Sequence, residues 1–174
     1  MRRDLYQVRI IDDSVETYLK TFGAVCIEGP KLCGKTWTSA YHSRSEFYLA
    51  DPTGNFQNRK LAELDPSLVL AGEAPRLLDE WQEVLSLWDA VRFAVDLAKE
   101  KGRFILTGSA TPNQKGILHS GAGRIARLRM RPMSLFESGK SSGKVSLKGI
   151  CSGSLESQLT GEVQLSDLID YILR

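Results

Sequence analysis

One stretch of the chain decides the fold, and it reads Gly29-Pro30-Lys31-Leu32-Cys33-Gly34-Lys35-Thr36. This is the pattern G-x-x-x-x-G-K-T of a phosphate-binding P-loop. The apolar run 24–27 before it has the character of a strand, and the residues after Thr36 read as a helix start. A glycine loop between a strand and a helix N-terminus directs backbone N–H groups and the helix dipole at phosphate. The stretch therefore predicts a loop that binds a nucleoside triphosphate.

The residues of this loop have predicted roles that follow from their chemistry. All eight, Gly29 to Thr36, are expected to contact the nucleotide. Lys35 is expected to place its ammonium against the β- and γ-phosphates, and the Thr36 hydroxyl is expected to hold Mg²⁺. Cys33 lies beside a helix N-terminus and a lysine, so it is either a reactive thiol or a small packing residue.

The composition is that of an ordinary globular domain. The 174 residues include 42% apolar and 25% charged residues, with a net charge of +2. This charge argues neither for nor against nucleic acid as a partner. No apolar stretch is long enough to span a bilayer, the N-terminus lacks the apolar run of a signal peptide, and the three cysteines have no zinc or disulfide spacing. We therefore expect a cytoplasmic protein with no membrane partner.

Strand and helix patterns alternate along the chain. Strands are predicted at 24–28, 46–50, 76–79, 104–106 and 125–130, and helices at 10–22, 35–42, 58–64, 87–101 and 166–173. Residues 12–14 are expected to cap the first helix, 138–143 to form a loop, and 145–150 to form a short strand or turn. The alternation predicts an α/β three-layer sandwich around a mainly parallel five-stranded sheet.

An acidic pair follows the third predicted strand. The strand 76–79 ends in Asp79, which is expected at the edge of the sheet near the metal, and Glu80 is placed to polarise an attacking water. Strand four ends in Thr107-Gly108-Ser109. A hydroxyl there would lie between the P-loop and the acidic strand, and both Thr107 and Ser109 qualify for this position.

Arginines near the fifth predicted strand are further candidates. Arg124 follows Gly121-Ala122-Gly123, and an arginine on such a loop can reach a transition-state phosphate in the same chain or across a subunit boundary. Residues Arg127, Arg129 and Arg131 share one face at strand spacing. That face is expected to meet a nucleic-acid backbone, to pair with acidic residues of another domain, or to be solvated.

These motifs together resemble the AAA-type ATPases of bacteria and archaea that carry a second, nuclease-like C-terminal domain of unknown role. The resemblance covers nearly the whole chain and rests on Ile27-Glu28-Gly29-Pro30-Lys31 with Gly34-Lys35-Thr36, Arg76-Leu77-Leu78-Asp79-Glu80-Trp81-Gln82, Leu106-Thr107-Gly108-Ser109, Gly123-Arg124 and Met130-Arg131-Pro132-Met133-Ser134-Leu135. It implies an additional-strand ATPase core, ATP with Mg²⁺, a water-polarising Glu80, and Arg124 as the arginine before strand five.

The resemblance also divides the chain. Residues 1–137 would form the P-loop ATPase core, and residues 138–174 would be a mobile loop and short extension leading to the second domain, which this sequence does not contain. The leading interpretation is an ATPase domain that drives or regulates a partner domain, with a homo-oligomer formed through Arg124. The alternatives are a nucleotide-dependent DNA-binding or defence-associated module, ATP binding without turnover, and a small-molecule kinase. A kinase is disfavoured, since no second basic pocket for an acceptor phosphate is evident.

Overall fold

The computed structural model of the chain describes residues 3–109, 119–153 and 163–172. The strands are β1 (Ala24–Gly29), β2 (Ser45–Tyr48), β3 (Arg76–Asp79), β4 (Phe104–Ser109) and β5 (Ile125–Arg129). The α-helices are α1 (Asp12–Thr21), α2 (Lys35–His42), α3 (Thr53–Leu64), α4 (Pro66–Leu70), α5 (Ser86–Ala98), α6 (Leu147–Cys151) and α7 (Leu165–Ile172). Short 3₁₀ helices lie at Arg3–Leu5 and Trp81–Glu83.

The five strands form one sheet in the order β2-β3-β4-β1-β5, and every neighbouring pair is parallel. This confirms the predicted α/β fold. Strand β4 lies between β1, which leads into the P-loop, and β3, which carries the acidic pair. The insertion of β4 is the additional-strand arrangement that the sequence resemblance implies.

The sheet is covered on both faces, because alternate residues of each central strand point to opposite sides. On one side α3, α4 and α5 pack over a cluster that includes Ala62, Val69, Trp88, Val91, Cys26, Leu78 and Leu106. On the other side α1 and α2 pack over a cluster that includes Val15, Ala40, Val25, Ile27, Leu77 and Ile105. The central strands are buried on both faces, as their continuous apolar sequences predict.

Two local predictions were wrong and one helix was missed, each because a non-local contact or a short-range cap decides the structure. Asp12 does not cap α1, whose N-cap is Ile11 without a side-chain hydrogen bond; its carboxylate is buried and accepts hydrogen bonds from other segments. Residues 147–151 form a helix rather than a strand or turn, because the Ser146 hydroxyl accepts a hydrogen bond from Gly149 N. The helix α4, capped by Asp65, was not predicted.

The chain divides into two compact units, Met1–Pro132 and Met133–Arg174. The first unit holds the sheet and α1 to α5. The second holds α6, α7 and a turn in which Glu137 accepts hydrogen bonds from the backbone and hydroxyl of Ser134. Within residues 3–109, 119–153 and 163–172, no helix has the length and apolar character needed to cross a membrane.

Candidate nucleotide site

The P-loop joins the end of β1 to the start of α2, and two of its positions need glycine. A Cβ at Gly29 would lie 2.5 Å from the carbonyl oxygen of Met130, so the loop enters its turn in close contact with the segment after β5. Gly34 has a φ of 99°, a left-handed conformation that strains other residues. These two constraints explain the first and last glycines of the pattern in terms of this chain alone.

Lys35 is the first residue of α2 and is only 6% exposed. Its ammonium donates hydrogen bonds to the carbonyl oxygens of Gly29 at 3.1 Å and Pro30 at 2.8 Å. The positive charge is thereby held against the backbone of the first two residues of the loop. A phosphate chain bound to the loop would meet this charge together with the N-terminus of α2.

The middle of the loop divides into exposed and buried positions. Pro30, Lys31 and Leu32 are exposed, and Leu32 has a left-handed φ of 64°. Cys33 is buried in the core cluster beneath α1 and α2. Its thiol therefore packs as a small apolar group, which favours the packing interpretation over the reactive one.

Asp79 is the last residue of β3, and its carboxylate joins the P-loop to the acidic strand. Its Oδ1 accepts hydrogen bonds from the hydroxyls of Thr36 at 2.8 Å and Thr107 at 2.6 Å. Burial raises the pKa of Asp79, and the two hydroxyls and the nearby Lys35 charge oppose this rise. The arrangement brings together three residues that the sequence placed at one site, Thr36 from the P-loop pattern and Asp79 and Thr107 from the ends of their strands.

Thr107 is the hydroxyl of β4 that reaches this cluster. Besides donating to Asp79, its Oγ1 accepts a hydrogen bond from Glu80 N at 3.0 Å. The sequence left the choice between Thr107 and Ser109 open. Ser109 ends β4 in register with Gly29, and its side chain lies outside the described part of the structure. The contacts therefore place Thr107 in the cluster, and the role of Ser109 stays a prediction.

Glu80 follows β3 in a left-handed conformation, with a φ of 57°. Such a conformation is uncommon for a residue other than glycine and is concentrated at functional sites. The carboxylate of Glu80 accepts a hydrogen bond from Gln82 Nε2. The Glu80 side chain is half-buried and lines the same cavity as residues of the P-loop.

A cavity of about 700 Å³ opens against the P-loop. It is lined by residues from the loop, the first turn of α2, the segment after β2 and the segment after β3: Lys31, Leu32, Gly34, Lys35, Thr36, Trp37, Ala50, Glu80, Gln82 and Glu83. Five of the eight predicted phosphate-binding residues, Lys31, Leu32, Gly34, Lys35 and Thr36, thus line one space with the predicted water-polarising residue. Of the two carboxylates on its far side, Glu83 is paired with Arg59 at 3.0 Å.

Arg124 lies at the other end of the sheet. It precedes β5, and its backbone oxygen accepts a hydrogen bond from the N–H of Ala24, the first residue of β1. The P-loop begins at the far end of β1, about 17 Å away at the rise of a strand. Arg124 is half exposed and pairs with Asp96 at 2.7 Å. Arg124 is therefore remote from the P-loop of its own chain, and its action on a nucleotide across a subunit boundary stays a prediction.

One arginine of the row predicted on β5, Arg127, is paired within the sheet. Arg127 donates to Glu28 Oε1 at 2.8 Å and lies 4.6 Å from the centre of the Trp88 ring. The acidic partner of Arg127 is thus on the neighbouring strand β1 of the same sheet, and the predicted alternatives for Arg129 and Arg131 stay open. Arg131 accepts, at its backbone oxygen, a hydrogen bond from Arg9.

Arg9 is the residue that the sequence did not reveal. It is 6% exposed, and its guanidinium donates to the carbonyl oxygen of Cys33 in the P-loop at 2.9 Å. No local pattern marks it, because it lies 24 residues before its P-loop partner in an irregular segment. A buried arginine becomes visible as part of a site only when the fold brings its partners together.

Comparison with known families agrees with this geometry. A family model described as an AAA domain matches residues 21–138, which is more than half of the chain. The chain therefore belongs to this AAA-domain family. A search among curated proteins found no match. The family supports an ATP-binding P-loop NTPase module, which confirms that part of the sequence resemblance.

Proposed function

We propose that this chain is a Mg²⁺-dependent ATPase module whose nucleotide cycle drives or regulates a partner domain. The observation that carries the proposal is the pair of hydrogen bonds to Asp79 Oδ1, one from Thr36 and one from Thr107. They bring the P-loop helix and the acidic strand together beside a cavity that Glu80 also lines. A nucleotide-binding loop, a metal-holding carboxylate and a water-polarising carboxylate are the parts that hydrolysis requires.

The residues at this point fit Mg²⁺. A site for this ion commonly has one or two carboxylates together with hydroxyl, phosphate and water oxygens, and Thr36 and Asp79 supply a hydroxyl and a carboxylate within 2.8 Å of each other. When bound, the ion would neutralise charge on the phosphates. Among the described residues, no group of three or more His, Cys, Asp or Glu side chains is placed to hold a metal ion. The proposed site therefore depends on oxygens of the nucleotide and of water in addition to Thr36 and Asp79.

Glu80 is the proposed water-polarising residue. Its left-handed backbone turns it out of β3 towards the cavity, and the Gln82 amide hydrogen-bonds its carboxylate. Thr107 fixes the backbone of Glu80 through the N–H, so the position of the carboxylate depends on β4 as well as β3. A carboxylate in this position would accept a hydrogen bond from the water that attacks the terminal phosphate.

The proposal is tested by ATP turnover of wild-type protein and the variants Glu80→Gln and Glu83→Gln, with and without Mg²⁺. We expect Glu80→Gln to keep ATP affinity and to lower turnover about 100-fold or more, since the loss of one well-placed electrostatic group has such effects. Glu83→Gln is the matched control, because Glu83 lines the same cavity but pairs with Arg59. Equal turnover in wild-type protein and Glu80→Gln would reject hydrolysis through Glu80. Nucleotide binding without measurable turnover in the wild type would support the alternative of a binding-only module.

The wider assembly is part of the same proposal. Arg124 would act on the nucleotide of a neighbouring copy in a homo-oligomer, since it lies at the edge of the sheet remote from its own P-loop. Residues 1–137 would form the ATPase core and 138–174 the link to a nuclease-like C-terminal domain. Three free cysteines suit a reducing compartment such as the cytoplasm.

A further inference from the structure

Arg9 contacts the P-loop from the buried side of the loop. Its side chain is buried, and its two terminal nitrogens bind two backbone carbonyls from different parts of the chain. Nη1 donates to Cys33 O at 2.9 Å, and Nη2 donates to Arg131 O at 3.0 Å. A Cβ built on Gly34 would lie 3.0 Å from Nη1, so the guanidinium rests directly against the last glycine of the loop. The P-loop is thereby bound to the segment that follows β5.

The contact to Cys33 fixes the direction of one backbone N–H. The carbonyl of Cys33 and the N–H of Gly34 belong to the same trans peptide, in which the two groups point to opposite sides of the chain. Since the carbonyl points at the buried guanidinium, the N–H of Gly34 points away from it, to the open side of the loop. Backbone N–H groups on that side are the ones that cradle the α- and β-phosphates in a P-loop.

The position of Arg9 is itself fixed by the P-loop helix. Asp12 accepts hydrogen bonds from Arg9 N at 2.7 Å through Oδ2, and from Tyr6 OH at 2.8 Å through Oδ1. The same Oδ1 lies 2.9 Å from Nε2 of His42 at the end of α2. The Tyr6 hydroxyl also lies 2.9 Å from Thr38 Oγ1 on α2. These contacts attach the N-terminal segment to α2. Arg9 of the same segment contacts the P-loop that precedes α2, so the contacts form a closed ring.

We infer that Arg9 is a positioning residue for nucleotide binding, which holds the Cys33–Gly34 peptide with its N–H facing the phosphates. This inference rests on the proposed function and adds a residue that lies outside the P-loop pattern. The arginine acts through the backbone of the loop and does not touch the ligand. Its fork of two nitrogens is needed because the two carbonyls that it joins come from separate segments.

The test measures affinities for ADP·Mg²⁺ and ATP·Mg²⁺ by calorimetry, using wild-type protein and the variants Arg9→Ala and Arg9→Lys. We expect Arg9→Ala to weaken both nucleotides by the same factor, about tenfold, because the Gly34 N–H serves the phosphates that ADP and ATP share. Arg9→Lys keeps the charge but replaces the fork by one ammonium, so an intermediate loss is expected. If Arg9→Ala does not fold, the affinities of Arg9→Lys and wild-type protein are compared instead.

Arg76→Ala is the matched control. Arg76 is also a buried arginine that donates to a backbone carbonyl, that of Val69, at 2.6 Å. It is the first residue of β3, whereas the P-loop begins at the last residue of β1, so the two lie at opposite ends of the parallel strands. Its loss should lower the melting temperature without changing nucleotide affinity. Unchanged affinity in both Arg9 variants, or an equal loss in Arg76→Ala, would overturn the inference while leaving the proposed function intact. A wild-type protein that binds neither nucleotide would overturn both.

Discussion

The hydroxyl of Thr36 donates a hydrogen bond to Asp79 Oδ1 at 2.8 Å, which links two residues that stand 43 positions apart in the chain. The contact crosses the width of strand β4, because β4 separates β1 from β3. Thr107 of β4 donates to the same oxygen, so the carboxylate at the end of β3 joins β4 to the first turn of α2. Several properties of the site depend on these contacts.

Thr36→Val should remove the part of the ATP affinity that depends on Mg²⁺. Valine keeps the shape of threonine and deletes the hydroxyl that would hold the ion, so affinity in EDTA should change little, and affinity with Mg²⁺ should fall about tenfold or more. Titration calorimetry under the two conditions measures the difference. Thr38→Val is the control for the Mg²⁺ dependence: Thr38 lies on the same helix and contacts Tyr6, so any effect through the segment that holds Arg9 should be equal with Mg²⁺ and with EDTA. A Mg²⁺ effect of the same size in Thr36→Val and wild-type protein would contradict the metal role of Thr36.

Arg124→Ala should reduce turnover much more than nucleotide affinity, because a charge that acts on the transition state contributes little to ground-state binding. If Arg124 acts on a neighbouring copy, turnover per chain should also rise with protein concentration. Turnover measured across a wide concentration range tests both expectations. Arg92→Ala is the control, because Arg92 is the other arginine that pairs with Asp96, at 3.1 Å. Concentration-independent turnover together with a harmless Arg124→Ala would leave Arg124 as a surface arginine.

The three cysteines should differ strongly in their rate of alkylation. Cys151 is exposed and should react first, whereas Cys26 and Cys33 are buried in the core. Burial also raises the pKa of Cys26, so its thiol stays protonated and raising the pH from 7 to about 9 should not accelerate its labelling. Mass spectrometry of peptides after timed alkylation gives the three rates. Labelling of Cys33 faster than Cys151, with protection by ATP·Mg²⁺, would restore the reactive-thiol interpretation.

The features predicted from the sequence are those encoded by neighbouring residues. The P-loop, the end of β3 at Asp79 and the alternating strands and helices each follow from a short pattern, and the fold agrees with them. Thr107 was one of two options because a strand end alone does not say which hydroxyl faces the next strand. The contact of Thr107 with Asp79, 28 residues away, became visible only in the fold.

The features that were missed depend on contacts between distant segments. Arg127 looked like part of an exposed basic strand, and its pairing with Glu28 joins residues 99 positions apart. Arg9 and Arg131 are separated by 122 positions, and nothing in the sequence near either residue indicates their contact. The remote position of Arg124 likewise followed only from the parallel pairing of β5 with β1.

The most direct test of the central claim is the affinity of Lys35→Ala for ATP·Mg²⁺, measured by calorimetry beside wild-type protein and Lys31→Ala. Lys35 is buried within the curve of the loop, whereas Lys31 is exposed on the same loop and is expected to contribute mainly through its backbone. With circular dichroism confirming that the variants are folded, we predict an affinity at least about 100-fold weaker for Lys35→Ala, and a change of only a few-fold for Lys31→Ala. Equal ATP affinity in Lys35→Ala and wild-type protein would contradict the assignment of the P-loop as the nucleotide site.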